Sequence, residues 1–381
     1  DIEAGNCPEC GRAVEQITEA NYFFRMSRYQ SWLIQYIEEH PEFIQPDFRR
    51  NETLGFLRKP LNDLCISRPK TRMGWGIDLP FDRDFVCYVW FDALVNYISA
   101  VGYGADETMF KRWWPADYHL IGKDILTTHT VYWPTMLQAM GLPQPRTVFA
   151  HGWWLVGDTK MSKSLGNGID PLEIIENYGA DTLRFTLITG QAPGNDQRFR
   201  QESVEAGRNF ANKVWNASRF VMINLLDEGE EQPSFPAVDP GNFTGDLSRA
   251  DRWILHRFNE TVRKVTEQLE AYELGEAARV TYEYIWSDFC DWYVEISKFY
   301  LYRKDGGPEA EDDRIRVRSL LTFLLDGLLR LLHPFMPFIS EEIWQHLPHK
   351  KGDALVTADW PVYSEKLAFP DEAFEMDKFQ E

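Results

Sequence analysis

At 381 residues the chain is too long for a single hydrophobic core, and its 44% of hydrophobic residues suffices for two or three. A formal net charge of −19 argues against a general nucleic-acid coat protein, while screening over about 10 Å leaves room for local basic surfaces. No apolar run reaches the roughly 18 residues of a membrane helix, and five cysteines with one C-x-x-C pair suggest a reducing, cytoplasmic setting rather than a disulfide framework.

Residues 1–14, DIEAGNCPECGRAV, read as a small Gly/Cys turn unit. Tyr29, Leu33, Tyr36 and Ile37 at helical spacing predict a helix over 22–40, ended by Pro41 and Pro46. NETLGFLRKPL predicts a short helix stopped by Pro60, and the Pro/Gly-rich stretch 66–80 reads as loop and strand. FVCYVWFD (85–92) is a β-rich run leading into a helix closed by Gly102. DYHLIG (117–122) is a second short strand. The helix after it has Asp124 as its expected N-cap, a kink at Pro134 and Gly141 past its end. TVFAHGWWLV (147–156) reads as a third strand, turned by Gly157 and Asp158. Alternating strands and helices at this spacing predict βαβ units and a parallel sheet, with ligands beyond the carboxyl ends of the strands.

Past residue 170 the texture changes. Two short helices split at Gly179, the first with Asp170 as cap and Pro171 at its first position. Helices then follow at 201–226, 251–271, 275–302 and 314–333, with a short one in SEEIWQHL. In the second of these, Ile254, Phe258, Val262, Val265 and Leu269 are spaced 4, 4, 3 and 4 apart. This predicts an all-α bundle, with acidic Pro/Gly-rich loops at 227–246 and 304–313. The chain thus divides into the turn unit at 1–14, an α/β region at 15–156, a loop with two helices at 157–200, the bundle at 201–348 and a tail at 349–381.

DTKMSKSLGN (158–167) places two lysines among small and hydroxylated residues directly after a strand end. Two lysines in a loop are ordinarily a solvated turn. KMSKS between a strand and a helix is more specific, and it resembles the lysine loop of class I aminoacyl-tRNA synthetases. The resemblance implies an incomplete Rossmann-like parallel-sheet domain followed by an anticodon-binding helix bundle. It also implies an ATP-dependent ligase, which joins an amino-acid carboxylate to the α-phosphate of ATP and passes the aminoacyl group to the 3′ end of tRNA. Such chemistry rests on positioning and on stabilising charge at the leaving oxygens. Lys163 is then expected at the leaving pyrophosphate, with Lys160 assisting, Ser162 and Ser164 completing the ATP loop, and Mg2+ accompanying ATP.

Upstream, CPECGRAVE, YFFRMSRYQ, FIQPDFRRNE, DLCISRP, GWGIDLP, YVWFDALVNY, HLIGKDI and HGWWLV resemble methionyl-tRNA synthetases from residue 1 to about 165. The implied amino-acid pocket is Trp90, Tyr97, Asp124, His129 and Trp133. Aromatic walls suit methionine's polarizable thioether, and His129 and Trp133, four apart, share a helix face. Asp124 is assigned either the substrate ammonium or a ribose hydroxyl. Core packing is the competing reading for Trp90 and Trp133, and a satisfied buried histidine for His129. CPEC resembles half of a zinc knuckle. Cys7 and Cys10 supply two of the four ligands of a structural zinc site, and a metal-free turn is the alternative.

From about residue 162, LGNGIDPLEIIENYGADTLRFTL, GQAPGNDQRF, RNFANKVWNASRF, EYIWSDFCDWYVE and LHPFMPFISEEIWQ resemble valyl-tRNA synthetases. Arg208, Lys213, Trp215 and Arg219 on the first long helix are the implied tRNA contacts, reading unstacked bases by stacking and edge contacts. Core packing competes for Trp215, which stands where the methionine family has an Asn four before Arg219. The class I motif His-x-Gly-His does not occur in these residues, so the first half of the ATP site is expected from a missing N-terminal half of the catalytic domain. The leading reading is a methionine-tRNA ligase half joined to a valine-type bundle. A valine-tRNA ligase, and a non-catalytic tRNA-binding module or truncated chimeric product, are the alternatives.

Overall fold

The computed structural model describes residues 13, 18–162, 166–190, 192–225, 247–303, 307–348 and 352–380. The chain divides into two compact units, residues 1–151 and 152–381.

In the first unit the strands are β1 (Phe23–Phe24), β2 (Ile44–Gln45), β3 (Leu64–Cys65), β4 (Ser67–Pro69), β5 (Asp78–Leu79), β6 (Asp82–Cys87), β7 (Tyr118–Gly122) and β8 (Thr147–His151). The helices are α1 (Gln30–Glu39), α2 (Asp47–Leu57), α3 (Val89–Ser99), α4 (Glu107–Trp113) and α5 (Trp133–Met140). β2 and β7 flank β8, all parallel, with Ile44 and His119 both in register with Val148. A second sheet, β4–β6–β5, is antiparallel. The central strand β8 is buried from Thr147 to Ala150, as expected where both neighbours and both faces are covered. β7 alternates instead: His119 and Ile121 point inward, Tyr118 and Leu120 outward. Leu33 and Ile37 of α1, Leu57 of α2, Ile44, Val148 and Ala150 form the core beside this sheet.

Three expectations in this unit change. FVCYVWFD is strand only to Cys87, where β6 pairs antiparallel with β4 and β5 and does not join the parallel sheet, and helix α3 begins at Val89. The helix over 22–40 begins only at Gln30. Phe23 and Phe24, an aromatic pair that favours extended backbone, lie antiparallel to Cys65 and Leu64, and a 3-10 turn at Met26–Tyr29 follows. The helix after β7 is three segments: a 3-10 turn (Lys123–Ile125), a π-helical stretch (Thr128–Tyr132) and α5. Gly122, without a side-chain cap, starts the first, and Asp124 lies within its turn rather than capping it. Pro134 lacks the N–H that Thr130 would receive in an α-helix. The widened turn before it carries Trp133 N–H to Thr128 O instead. Gly141 closes α5 in the left-handed region at φ 68°, its N–H reaching the carbonyls of Leu137 and Gln138.

In the second unit the strands are β9 (Trp154–Val156), β10 (Thr159–Lys160) and β11 (Gln197–Arg198). The helices are α6 (Pro171–Tyr178), α7 (Ala180–Ile188), α8 (Gln201–Leu225), α9 (Arg249–Glu270), α10 (Leu274–Glu283), α11 (Val294–Leu301), α12 (Pro308–Leu332), α13 (Pro337–Gln345) and α14 (Pro370–Gln380), with π-helical turns over Tyr284–Tyr293. TVFAHGWWLV is therefore not one strand. It breaks after His151, and at Gly152 the backbone of Asn195 passes so close that a Cβ there would lie 1.9 Å from the Asn195 carbonyl oxygen. β9 instead pairs with β10 and β11.

The bundle buries Ile254, Phe258, Val262 and Val265 of α9 against α10, α12 and α14. Ser248 and Asp251 form a capping box at the start of α9. The acidic segment expected as a loop to residue 313 already belongs to α12, with Pro308 at its start and Glu309 and Glu311 in the first turn. The stretch expected as a tail carries α14, docked along α9 through the Arg252–Glu372 pair at 3.0 Å, with Leu355, Leu367 and Ala373 buried. No helix among the described residues is long and apolar enough to cross a membrane.

Candidate functional site

The first unit gathers an aromatic and imidazole cluster from three elements. α3 buries Leu94 and Ile98, which sets the neighbouring Tyr97 half-buried on an adjoining face. The inward phase of β7 delivers His119, and the π-helical turns deliver His129 and then Trp133. The Tyr97 hydroxyl lies 2.9 Å from His129 Nε2, and His129 Nδ1 lies 3.0 Å from the Ile125 carbonyl. A carbonyl only accepts, so His129 carries its proton on Nδ1, and Nε2 accepts from Tyr97. Trp133 Nε1–H donates to His119 Nε2 at 3.2 Å, which puts the His119 proton on Nδ1. The Tyr97 ring lies 4.2 Å from that of His119 and 6.0 Å from that of Trp133. Trp114, anchored through Nε1–H to Pro143 O at 3.0 Å, flanks Trp133 at 6.0 Å.

Burial keeps both imidazoles neutral at physiological pH. Loss of hydration, and secondarily the neighbouring His129, pushes His119 down to about 4. Desolvation also lowers His129, against the opposing pull of its bond to Ile125 O. Burial raises the Tyr97 phenol. The cluster is thus uncharged, and the Tyr97, His129 and Trp133 donors each have an acceptor, at His129, Ile125 O and His119.

The residues expected to form a pocket are distributed unevenly. Trp90 is half-buried in the first turn of α3, seven residues before Tyr97 and so on the same side of that helix. Trp133 is fully enclosed, at 0% exposure, behind His119 and Tyr97. Asp124 is exposed. Its Oδ1 sits 2.6 Å from where a side chain on Gly122 would begin, so the carboxylate folds over the β7 end only because residue 122 is glycine. His119 was missed from sequence. Its signal was the alternation of DYHLIG, which places one histidine on the inner face of a strand just ahead of the turns that carry His129 and Trp133.

In the second unit, Gly157, at φ 61°, and Asp158 turn β9 into β10 and bring the lysine loop back along Trp154–Val156. Lys160 Nζ lies over the Trp153 ring, 4.1 Å from its centroid. Asn167 spans the loop: its Nδ2 donates to Lys160 O at 3.2 Å and its Oδ1 accepts from Ser162 N–H at 2.9 Å. Asn167 too was missed, although it stands in the KMSKSLGN string. Lys163 and Ser164 lie outside the described residues, as do Cys7 and Cys10. Among the described residues, no group of three or more His, Cys, Asp or Glu side chains is placed to hold a metal ion.

On α8, Arg208, Trp215 and Arg219 are exposed, at spacings of seven and four, and form one stripe. Trp215 is 44% exposed, so it is not a core residue. Arg208 also lies over the Tyr178 ring at 5.6 Å. Lys213 is on another face. It pairs with Asp291 at 2.6 Å, lies over Trp286 at 5.0 Å, and has its pKa raised chiefly by that bond to Asp291.

Two family models match the chain, and they part between residues 220 and 251 rather than at the 151/152 division of the fold. A family model described as tRNA synthetases class I (M) matches residues 1–220, and one described as the anticodon-binding domain of tRNA ligase matches residues 251–381. The valine–tRNA ligase of Bacillus thuringiensis is 39% identical over 98% of this chain and 43% of its own length. The methionine–tRNA ligase of Thermotoga maritima is 39% identical over 90% of this chain and 52% of its own length. Both kinds of relative therefore run through both units, and the chain spans about half the length of these curated relatives. Among solved structures, methionyl-tRNA synthetase of Mycobacterium tuberculosis bound by methionyl-adenylate superposes with a TM-score of 0.77 at 30% identity, covering 89% of this chain and 65% of that one. With a family model matching more than half of its residues, the chain belongs to the class I tRNA synthetases.

Proposed function

We propose that this chain carries the amino-acid pocket, the lysine loop and the anticodon-binding bundle of a methionine–tRNA ligase. The observation that supports methionine is the neutral Tyr97–His129–His119–Trp133 cluster. It offers aromatic and imidazole faces to an unbranched, polarizable side chain, and no charge to a polar one. Tyr97 and His129 frame the side-chain site, Trp90 adds a further wall, and Trp133 acts from behind. Asp124, exposed at the carboxyl end of a parallel strand, binds the substrate ammonium or a ribose hydroxyl. Lys160 and Lys163 neutralise the triphosphate of ATP, which enters with Mg2+, and Lys163 meets the charge that develops on the leaving pyrophosphate. Ser162 and Ser164 complete that loop, whose base Asn167 ties together. Arg208, Trp215 and Arg219 face single-stranded tRNA bases, with Lys213 held back by Asp291. Cys7 and Cys10 supply two ligands of a zinc site.

A valine-type reading is favoured by one observation, the 39% identity to a valine–tRNA ligase over 98% of the chain. The two are separated by amino-acid-dependent ATP–pyrophosphate exchange. It is measured on the chain alone and on the chain supplemented with the N-terminal segment of a methionine relative that bears His-x-Gly-His. Exchange with methionine is the expected result. Exchange driven by valine and not by methionine would refute the assignment.

A further inference from the structure

His119 belongs to no expected site, yet it touches two of the residues that do. Its Nε2 accepts the Trp133 indole N–H, and its ring packs 4.2 Å from that of Tyr97. It is 4% exposed and is carried by the buried phase of a parallel strand, which is among the most rigid placements a side chain can have. Trp133 is fully enclosed, so its indole N–H needs a buried acceptor, and His119 is the one it has. The titratable groups that face His119 are Tyr97 from α3 and His129 from the π-helical turns. Trp114, 6.2 Å away ring to ring, is not ionisable.

We propose that His119 is a positioning residue for amino-acid recognition: its Nε2 and its ring hold Trp133 and Tyr97 in the arrangement that receives the substrate side chain. It acts through these two residues and does not itself touch substrate. The proposal rests on the methionine-pocket reading above. Burial, which keeps His119 unprotonated, is what lets it serve as an acceptor at neutral pH. A cationic imidazole has two donors and no acceptor, and would turn the Trp133 N–H away.

The test uses the 381-residue chain and three readouts: methionine affinity by calorimetry, folding by thermal unfolding, and the Trp133 indole N–H resonance in 15N-tryptophan-labelled protein, assigned with Trp133→Phe. His119→Leu keeps the volume apolar and removes the acceptor. His119→Gln places an amide oxygen near the position of Nε2. The expected result is a loss of methionine affinity on the order of tenfold in His119→Leu, with an upfield shift of the Trp133 indole proton. His119→Gln is expected to recover both the resonance and most of the affinity. If both variants fold with reduced stability but bind methionine as the wild type does, His119 is only structural and the proposal is overturned. Failure of the wild-type chain to bind methionine is a separate outcome, which overturns the pocket reading and the proposal with it.

Discussion

Asp181→Ala probes how the helical unit is joined. α13 begins at Pro337 after Met336, whose side chain makes no cap. The donors of its first turn can be followed one by one. Met336 N–H bonds Leu332 O at 3.0 Å, and Pro337 has no N–H. Phe338 and Ile339 N–H both donate to the Asp181 carboxylate, at 3.2 and 2.6 Å. Asp181 is 9% exposed and belongs to α7, so one helix caps another that lies more than 150 residues further along the chain. Alanine removes a cap worth about 1 kcal/mol and strands two donors, each costing about 1–3 kcal/mol where water cannot reach. Partial access of water brings the expected total to about 2–4 kcal/mol. Asparagine keeps one acceptor and is expected to lose about 1 kcal/mol. Hydrogen exchange read by mass spectrometry on the peptide covering α13 reports this locally. The alanine variant should exchange roughly thirty- to several-hundred-fold faster there. A change below threefold, or an asparagine variant as fast as alanine, refutes the donor accounting.

Asp251 is 0% exposed and accepts from Tyr293 Oη, Arg316 Nε and Ser248 N–H at 2.8–2.9 Å. Asp251→Ala removes three hydrogen bonds from a buried carboxylate while Arg316 keeps its pair with Asp313, and should cost about 2–4 kcal/mol in urea unfolding; less than about 1 would contradict this. A depressed histidine pKa stabilises the fold above the unfolded value and loses that contribution as pH falls. For His119, at about 4 in the fold against an ordinary 6.5, stability should drop by roughly 1 kcal/mol from pH 7.5 to 5.5. His119→Leu should remove that share of the slope in urea titrations at the two pH values. Trp215→Ala should leave thermal stability unchanged while weakening tRNA binding by about 1–3 kcal/mol, and Arg219→Ala should lower the salt slope of binding by about 1. Fluorescence titration against potassium chloride distinguishes these effects, and an unchanged affinity in both variants excludes this face.

Local patterns carried much of the fold. Ile254, Phe258, Val262 and Val265 are buried at the spacing that predicted α9, and the parallel pairing of β7 with β8 follows from strands separated by a helix. What did not show was long-range. Gly152 inside TVFAHGWWLV is a local mark of a break, but what it makes room for, the Asn195 backbone, lies 43 residues beyond it. The N-terminal cap of α13 likewise lies in a different helix. The start of α12 was legible and misread, since Pro308, Glu309 and Glu311 are ordinary helix-start residues that an acidic Pro/Gly composition disguised as loop. In the aromatic and imidazole cluster, Tyr97, His129 and Trp133 were singled out through resemblance to a family, and physical spacing supported only the last two. His119 needed the strand phase and the tautomers together.

On the methionine-pocket reading proposed above, those tautomers also limit how strongly the cluster can discriminate. The single O–H of Tyr97 is directed at His129, the single N–H of His129 at Ile125 O, and the indole N–H of Trp133 at His119. None of the three has a donor left for a ligand atom. A thioether sulfur is then held by ring contact and buried area rather than by a hydrogen bond. Selection between apolar side chains on area alone yields about 1–3 kcal/mol per methylene-sized difference, or roughly ten- to two-hundred-fold, whereas sites that hydrogen-bond the correct substrate reach about 10⁴ or more. Methionine differs from valine by the reach of its chain and by the sulfur. Calorimetric affinities for the two should therefore differ by about one to two orders of magnitude. A ratio above about 10⁴ would mean that a dedicated donor meets the sulfur, either because one of the three bonds above opens when the ligand enters or because the remaining donor of the cluster, His119 Nδ1–H, reaches it.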